Sequence, residues 1–159
     1  MSNESQYPPA IPKFSRRPVV SGSGATYTLK ADQSGATVVF DRAAGIVFTL
    51  PAPIVGLYYD FVITTTITGG AAEVITNTGT VFMQGTVSMA LEATTPGANP
   101  GPKFFSGNGT AHVKISQNGS TTGGIKGTAF RLTCTGATDN AWTASGIVLG
   151  SGTIATPFA

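Results

Sequence analysis

Short runs of residues alternating between apolar and polar, each closed by glycine or proline, constrain this chain more than any other feature. Ile46, Phe48 and Leu50 alternate with Val47 and Thr49 before Pro51-Ala52-Pro53 stops the run. Phe130, Leu132 and Cys134 alternate with Ala129, Arg131 and Thr133. A two-residue period puts successive side chains on opposite faces of a strand, so each such run reads as a half-buried strand. No window carries apolar residues at helical spacing between caps. The 21 glycines and 10 prolines mark turns and not disorder, because β-branched and aromatic residues lie densely between them.

Read along the chain, strands are expected at 25–30, 36–40, 46–50, 57–67, 73–76, 80–91, 111–115, 129–134, 142–149 and 153–156. Asp32-Gln33-Ser34-Gly35 and Gly69-Gly70 read as turns, and Asn108-Gly109 and Asn118-Gly119 as hairpin turns. Residues 94–109, TTPGANPGPKFFSGNG, read as a long loop. About ten short strands imply an all-β single domain, a β-sandwich or jelly-roll-like fold, with a β-tulip or small barrel as the alternative. No internal repeat is evident. The domain is expected over residues 25–159. Residues 1–24 hold Pro8, Pro9, Pro12 and Pro18 and the tract Ser21-Gly22-Ser23-Gly24, and read as an extended N-terminal arm with a hinge. Tyr7, Ile11, Phe14, Val19 and Val20 give that arm apolar anchors, and Lys13, Arg16 and Arg17 give it positive charge.

Composition restricts the function classes. Charged residues are 10% of the chain and the net charge is +2, too little and too scattered for the basic stripe of a nucleic-acid protein. A surface finished with Thr, Ser, Asn and Gly instead of charge suits packing against other protein. No apolar run reaches the roughly 18 residues of a membrane span. The opening MSNESQYPPAIPKFSRRP lacks the apolar centre of a signal peptide, so synthesis in a cytoplasm is expected.

The side chains for chemistry are sparse. Glu4, Asp32, Asp41, Asp60, Glu73, Glu92 and Asp139 are isolated from one another in sequence. Asp60, inside the apolar run YYDFV, is expected to point outward or to pair with an arginine such as Arg42. His112 is the sole histidine and is expected on the face opposite Val113 and Ile115. Cys134 is the sole cysteine and shares a face with Phe130 and Leu132, as a small core residue would. One histidine and one cysteine make a poor zinc site, and no nucleophile-elbow or phosphate-loop motif occurs. No enzyme activity, metal or cofactor is expected. Of the aromatics, Tyr59, Phe61 and Ile63 share one strand face and read as core. Phe104-Phe105 reads as an oligomer or partner contact, since two adjacent aromatics cannot easily both be buried in one thin domain.

Two stretches carry a resemblance. Tyr27-Thr28-Leu29-Lys30-Ala31-Asp32-Gln33-Ser34-Gly35, followed by Ile46 to Leu57 (IVFTLPAPIVGL), resembles the opening of small head and tail structural proteins of tailed bacteriophages. Trp142-Thr143-Ala144-Ser145-Gly146-Ile147, with Gly150 to Phe158, is similar to the C-termini of phage capsid decoration (cement) proteins. The resemblance covers about a third of the chain. It implies a virion protein on the outer surface of the expanded head, contacting the major capsid protein and other copies of itself, with a homotrimer as the expected assembly. Tyr7, Ile11, Phe14, Arg16, Arg17, Phe104 and Phe105 are then the expected contact residues. The alternative is a tail-fibre, spike or lectin-like receptor-binding module, because the TLPAP pattern is similar to repeats in tail fibres. Neither reading requires a catalytic group, nucleic acid or membrane.

Overall fold

A computed structural model describes residues 17–22, 24–91 and 101–159. Those residues form an all-β fold of eleven strands: β1 (Val19–Ser21), β2 (Thr26–Thr28), β3 (Thr37–Phe40), β4 (Ile46–Thr49), β5 (Tyr58–Ile63), β6 (Ala72–Ile75), β7 (Met83–Leu91), β8 (Lys103–Asn108), β9 (Lys114–Gln117), β10 (Ala129–Cys134) and β11 (Trp142–Gly150). A seven-stranded sheet runs β1-β3-β5-β10-β11-β7-β8, and a four-stranded sheet runs β2-β4-β6-β9.

The first six strands alternate between the two sheets, and β1, β3 and β5 lie parallel in one while β2, β4 and β6 lie parallel in the other. The chain therefore winds as a coil. Parallel neighbours cannot be joined by a tight hairpin, and here each crossover is a strand of the opposite sheet. Successive coils touch at their corners. A Cβ on Gly45, whose φ is +80°, would come within 2.1 Å of the Ala71 carbonyl oxygen, so only glycine lets the two corners stack.

Both sheets contribute to one core. Phe40 of β3 meets Phe48 of β4 edge-to-face with centroids 4.9 Å apart, and Phe61 of β5 stacks on Phe130 of β10 at 5.1 Å. Tyr59, Trp142, Met83, Val87, Met89 and Leu132 extend the core along the large sheet. Alternation is kept, as in the burial of Tyr59, Phe61 and Ile63 but not their neighbours on β5. Burial pushes the Tyr59 phenol up to about 12, helped by the charge of Asp32, and its hydroxyl donates to the Lys30 carbonyl at 2.8 Å. Gln117 is fully buried, and among the described residues neither its amide nitrogen nor its carbonyl oxygen has a hydrogen-bond partner.

Several expectations change. Residues 103–108 of the expected loop are strand β8, which lies along β7. Residues 153–156 are not a strand; instead Phe158 bridges to Ile115, and Ala159 exchanges hydrogen bonds with Lys114, covering the edge of β9. Asn108-Gly109 and Asn118-Gly119 do not close hairpins. The Asn108 side-chain oxygen accepts from the Thr110 and Ala111 amides, and that of Asn118 from the Ser120 and Thr122 amides, so both are Asx-type loops leaving a strand. The large sheet also begins inside the segment read as an arm: β1 is an edge strand, where its short parallel pairing to β3 tolerates Pro18 before it. Gly22, within the expected hinge, is buried, and a Cβ there would lie 3.0 Å from Ile46.

Candidate functional site

Because side chains alternate, every inward core residue of the large sheet leaves an outward neighbour, and the pairing register aligns these neighbours into rows. One row runs Ser21, Val39, Val62, Ala129, Ile147, Ser88, Phe104. The adjacent row runs Val19, Thr37, Asp60, Arg131, Ser145, Thr86, Ser106. A third, shorter row holds Tyr58, Thr133, Thr143, Gln84 and Asn108. With strands about 4.8 Å apart, seven strands make a face roughly 29 Å across. Its surface is mostly small hydroxyl and aliphatic side chains. Among the described residues, the large hydrophobics exposed on strands are Val19, Phe104 and Ile147, and all lie on this face.

One ionic cluster interrupts it. Arg131 of β10 donates from Nε to Asp60 Oδ1 at 2.6 Å and from Nη2 to Oδ2 at 2.9 Å, a two-pronged pair across the β5–β10 ladder. Arg17 donates from Nη1 to the same Oδ2. The Arg131 guanidinium also lies over the Tyr58 ring, 4.8 Å from its centroid. The hydrogen bond from Arg131, with that from Arg17, holds the Asp60 carboxyl below the usual carboxylate range against the opposing effect of burial. Asp60 thus both points outward and pairs with arginine, but its partners are Arg131 and Arg17 and not Arg42.

Beside the cluster is a groove of about 340 Å³ lined by Arg17, Thr37, Val62, Arg131, Ser145 and Gly146. Gly146 creates it. Its φ is +150°, and a Cβ there would lie 2.4 Å from the Phe130 Cα, so β10 and β11 approach too closely for any side chain.

The expected contact residues divide. Tyr7, Ile11, Phe14 and Arg16 lie outside the described residues. Arg17 stands at the ionic cluster. Phe104 and Phe105 are on a strand, so alternation separates them: Phe104 points outward at 70% exposure, while Phe105 packs half-buried against the core. Tyr58, Arg131 and Ile147 join the site without having been among the expected contact residues, and Val19, expected as an apolar anchor of the arm, stands on β1. Alternation alone could have placed Arg131 and Ile147 on an outer face, opposite Leu132 and Val148.

The remaining candidates for chemistry are accounted for locally. His112 is half-buried; its Nδ1 accepts from the Asn108 amide at 3.2 Å and its ring lies 5.9 Å from that of Phe158. Cys134 is buried with its strand-mates Phe130 and Leu132, and burial raises its thiol pKa. Glu73 sits on the outer face of the small sheet with Lys114 at 3.0 Å and Ser116 at 2.8 Å; burial pushes its carboxyl up, but these partners outweigh it and the net shift is downward. Among the described residues, no three His, Cys, Asp or Glu side chains gather as a metal site would require. No protein-family model, curated protein or solved structure matches the chain.

Proposed function

We propose that this chain is a homo-oligomeric decoration protein, a trimer, that binds the outside of an expanded tailed-phage head and cements neighbouring capsomers. The observation that carries this reading is the outer face of the large sheet, broad, low in charge and bearing Val19, Ile147 and Phe104 exposed. A face of this kind gains by being covered with protein, and exposed apolar groups on a strand-built surface mark such contacts. The resemblance over residues 27–35, 46–57, 142–147 and 150–158 supplies the class of partner: the major capsid protein, with further copies of the chain itself.

The physics asked of such a protein is mass action. A ligand that binds only the assembled, expanded shell stabilises that shell by its binding free energy, and each copy that bridges several subunits adds to it. No proton transfer or nucleophile is needed. A face low in charge also keeps the cost of desolvation low, because few charges must be stripped of water on docking.

The test is co-sedimentation of the purified protein with heads that lack it, comparing expanded shells with unexpanded procapsids. Saturable binding to expanded shells, at a fixed ratio to the major capsid protein, is the expected result. Binding to neither shell, with attachment to tails or host cells instead, would replace this reading with the receptor-binding one.

A further inference from the structure

The groove beside Asp60 is chemically lopsided. Two guanidinium groups converge on one carboxylate, and that carboxylate already accepts from both. Arg131 uses Nε and one N–H of Nη2, which leaves both N–H groups of Nη1 without an acceptor among the described residues. Among the described residues, Arg17 is hydrogen-bonded through Nη1 alone, with its guanidinium 6.0 Å from the centroid of the Tyr58 ring. Both side chains are close to half exposed, at 49% for Arg17 and 44% for Arg131. The orientation of Arg131 is nonetheless fixed: Asp60 grips it by two bonds, and the Tyr58 ring supports its guanidinium. The cluster carries a net charge of about +1 with oriented spare donors, at the rim of an open groove with the hydroxyls of Thr37 and Ser145 in its walls.

We propose that this groove receives a carboxylate side chain, Asp or Glu, from the protein on which the sheet face docks. Charge complementarity chooses the occupant. A carboxylate matches the spare guanidinium donors in a two-pronged geometry, and its chain would cross Val62 and Ala129, the apolar neighbours of Asp60 and Arg131 in the next row. Asp60 then has two roles: it orients the arginines, and it competes for them. The proposal deepens the reading of the face as a docking surface and names the residue type the partner must present.

A first test needs no capsid. The Nε–H signals of Arg131 and Arg17 are followed by NMR while the full chain is titrated with the capped peptide acetyl-Gly-Glu-Gly-amide, and separately with its glutamine counterpart. Saturable shifts at these two arginines with the glutamate peptide alone are expected. Equal shifts with both peptides, or shifts spread over all lysines and arginines, would overturn the proposal.

A second test uses attachment to expanded heads. Arg131→Gln is expected to weaken binding roughly tenfold or more and to flatten its salt dependence. Asp60→Asn frees the arginines and is expected to bind at least as tightly as the unsubstituted chain. Lys126→Gln removes one charge elsewhere and is expected to change nothing, and thermal melts confirm that each variant folds. If Asp60→Asn weakens attachment as Arg131→Gln does, the cluster serves only to shape the face and the proposal fails. Failure of the unsubstituted chain to bind any head would instead remove the decoration reading, while the peptide titration still decides the groove.

Discussion

The two faces of the seven-stranded sheet come from the same strands, one residue apart, and they follow opposite rules. The inner face is aromatic and closed, with Phe40, Tyr59, Phe61, Phe130 and Trp142 packed against one another and against the small sheet. The outer face is built of small polar and aliphatic groups around one ionic cluster, with Phe104 at its far edge. Inner residues are specified by the shape of their neighbours, because a packed interior tolerates little change in volume. Outer residues are not needed to fill space and are free to be selected for what they meet. On the proposed function, stability lies on one side of each strand and recognition on the other.

The sharpest way to test that division is to cut both sides of one strand. Phe61→Ala removes a ring that touches Phe40, Phe48 and Phe130, and it should lower stability by about 3–5 kcal/mol in urea unfolding. Val62→Thr, next along β5 but facing out, should cost about 0.5 kcal/mol or less. Equal losses would erase the distinction between the faces.

The inner face should also show an alkaline limit. The neutral Tyr59 phenol is favoured in the folded state, with its pKa pushed up to about 12, while an unfolded tyrosine ionises near pH 10. Its contribution is therefore whole below about pH 10 and is lost as pH rises through about 12. Tyr59→Phe should lose roughly 1 kcal/mol at neutral pH, from the hydrogen bond to Lys30, and flatten the fall above pH 10. An unchanged alkaline limb would show that this phenol is not held neutral by the core.

A third substitution asks whether the core is fully specified. Gln117 is buried with neither amide group partnered among the described residues, so Gln117→Met should be neutral or should raise stability by about 1 kcal/mol in thermal unfolding. A loss above that would reveal that the amide has a structural task. The smallest expected effect on stability is on the outer face: Phe104→Ser should leave unfolding unchanged within about 0.5 kcal/mol while weakening attachment to heads.

How far the sequence carries these conclusions depends on range. Period-2 alternation is local, so nine of the strands and the core faces of β5 and β10 are legible in it, as are Cys134 and Tyr59 as interior residues. The partnering of strands is not local. Nothing near Asp60 says that its ladder neighbour is Arg131, and Arg42, nearer in sequence, is the wrong arginine. Likewise the coil of alternating strands leaves no repeat to find, because the corners differ in length from one turn to the next and only the pairing repeats. β8 is hidden by Gly107 and by the prolines before it, which read as loop until β7 supplies a partner. The outer-face rows depend on register across all seven strands, and so they emerge only once the sheet is assembled.

The central claim, that this outer face docks on an expanded phage head, is tested most directly by cryo-electron microscopy of expanded heads saturated with the protein. The account predicts symmetric extra density in which the seven-stranded sheet turns its outer face, with Phe104, Ile147 and the Arg17–Asp60–Arg131 cluster, onto the shell or a neighbouring copy. Heads without added density, or copies bound with that face bare to solvent, would contradict it.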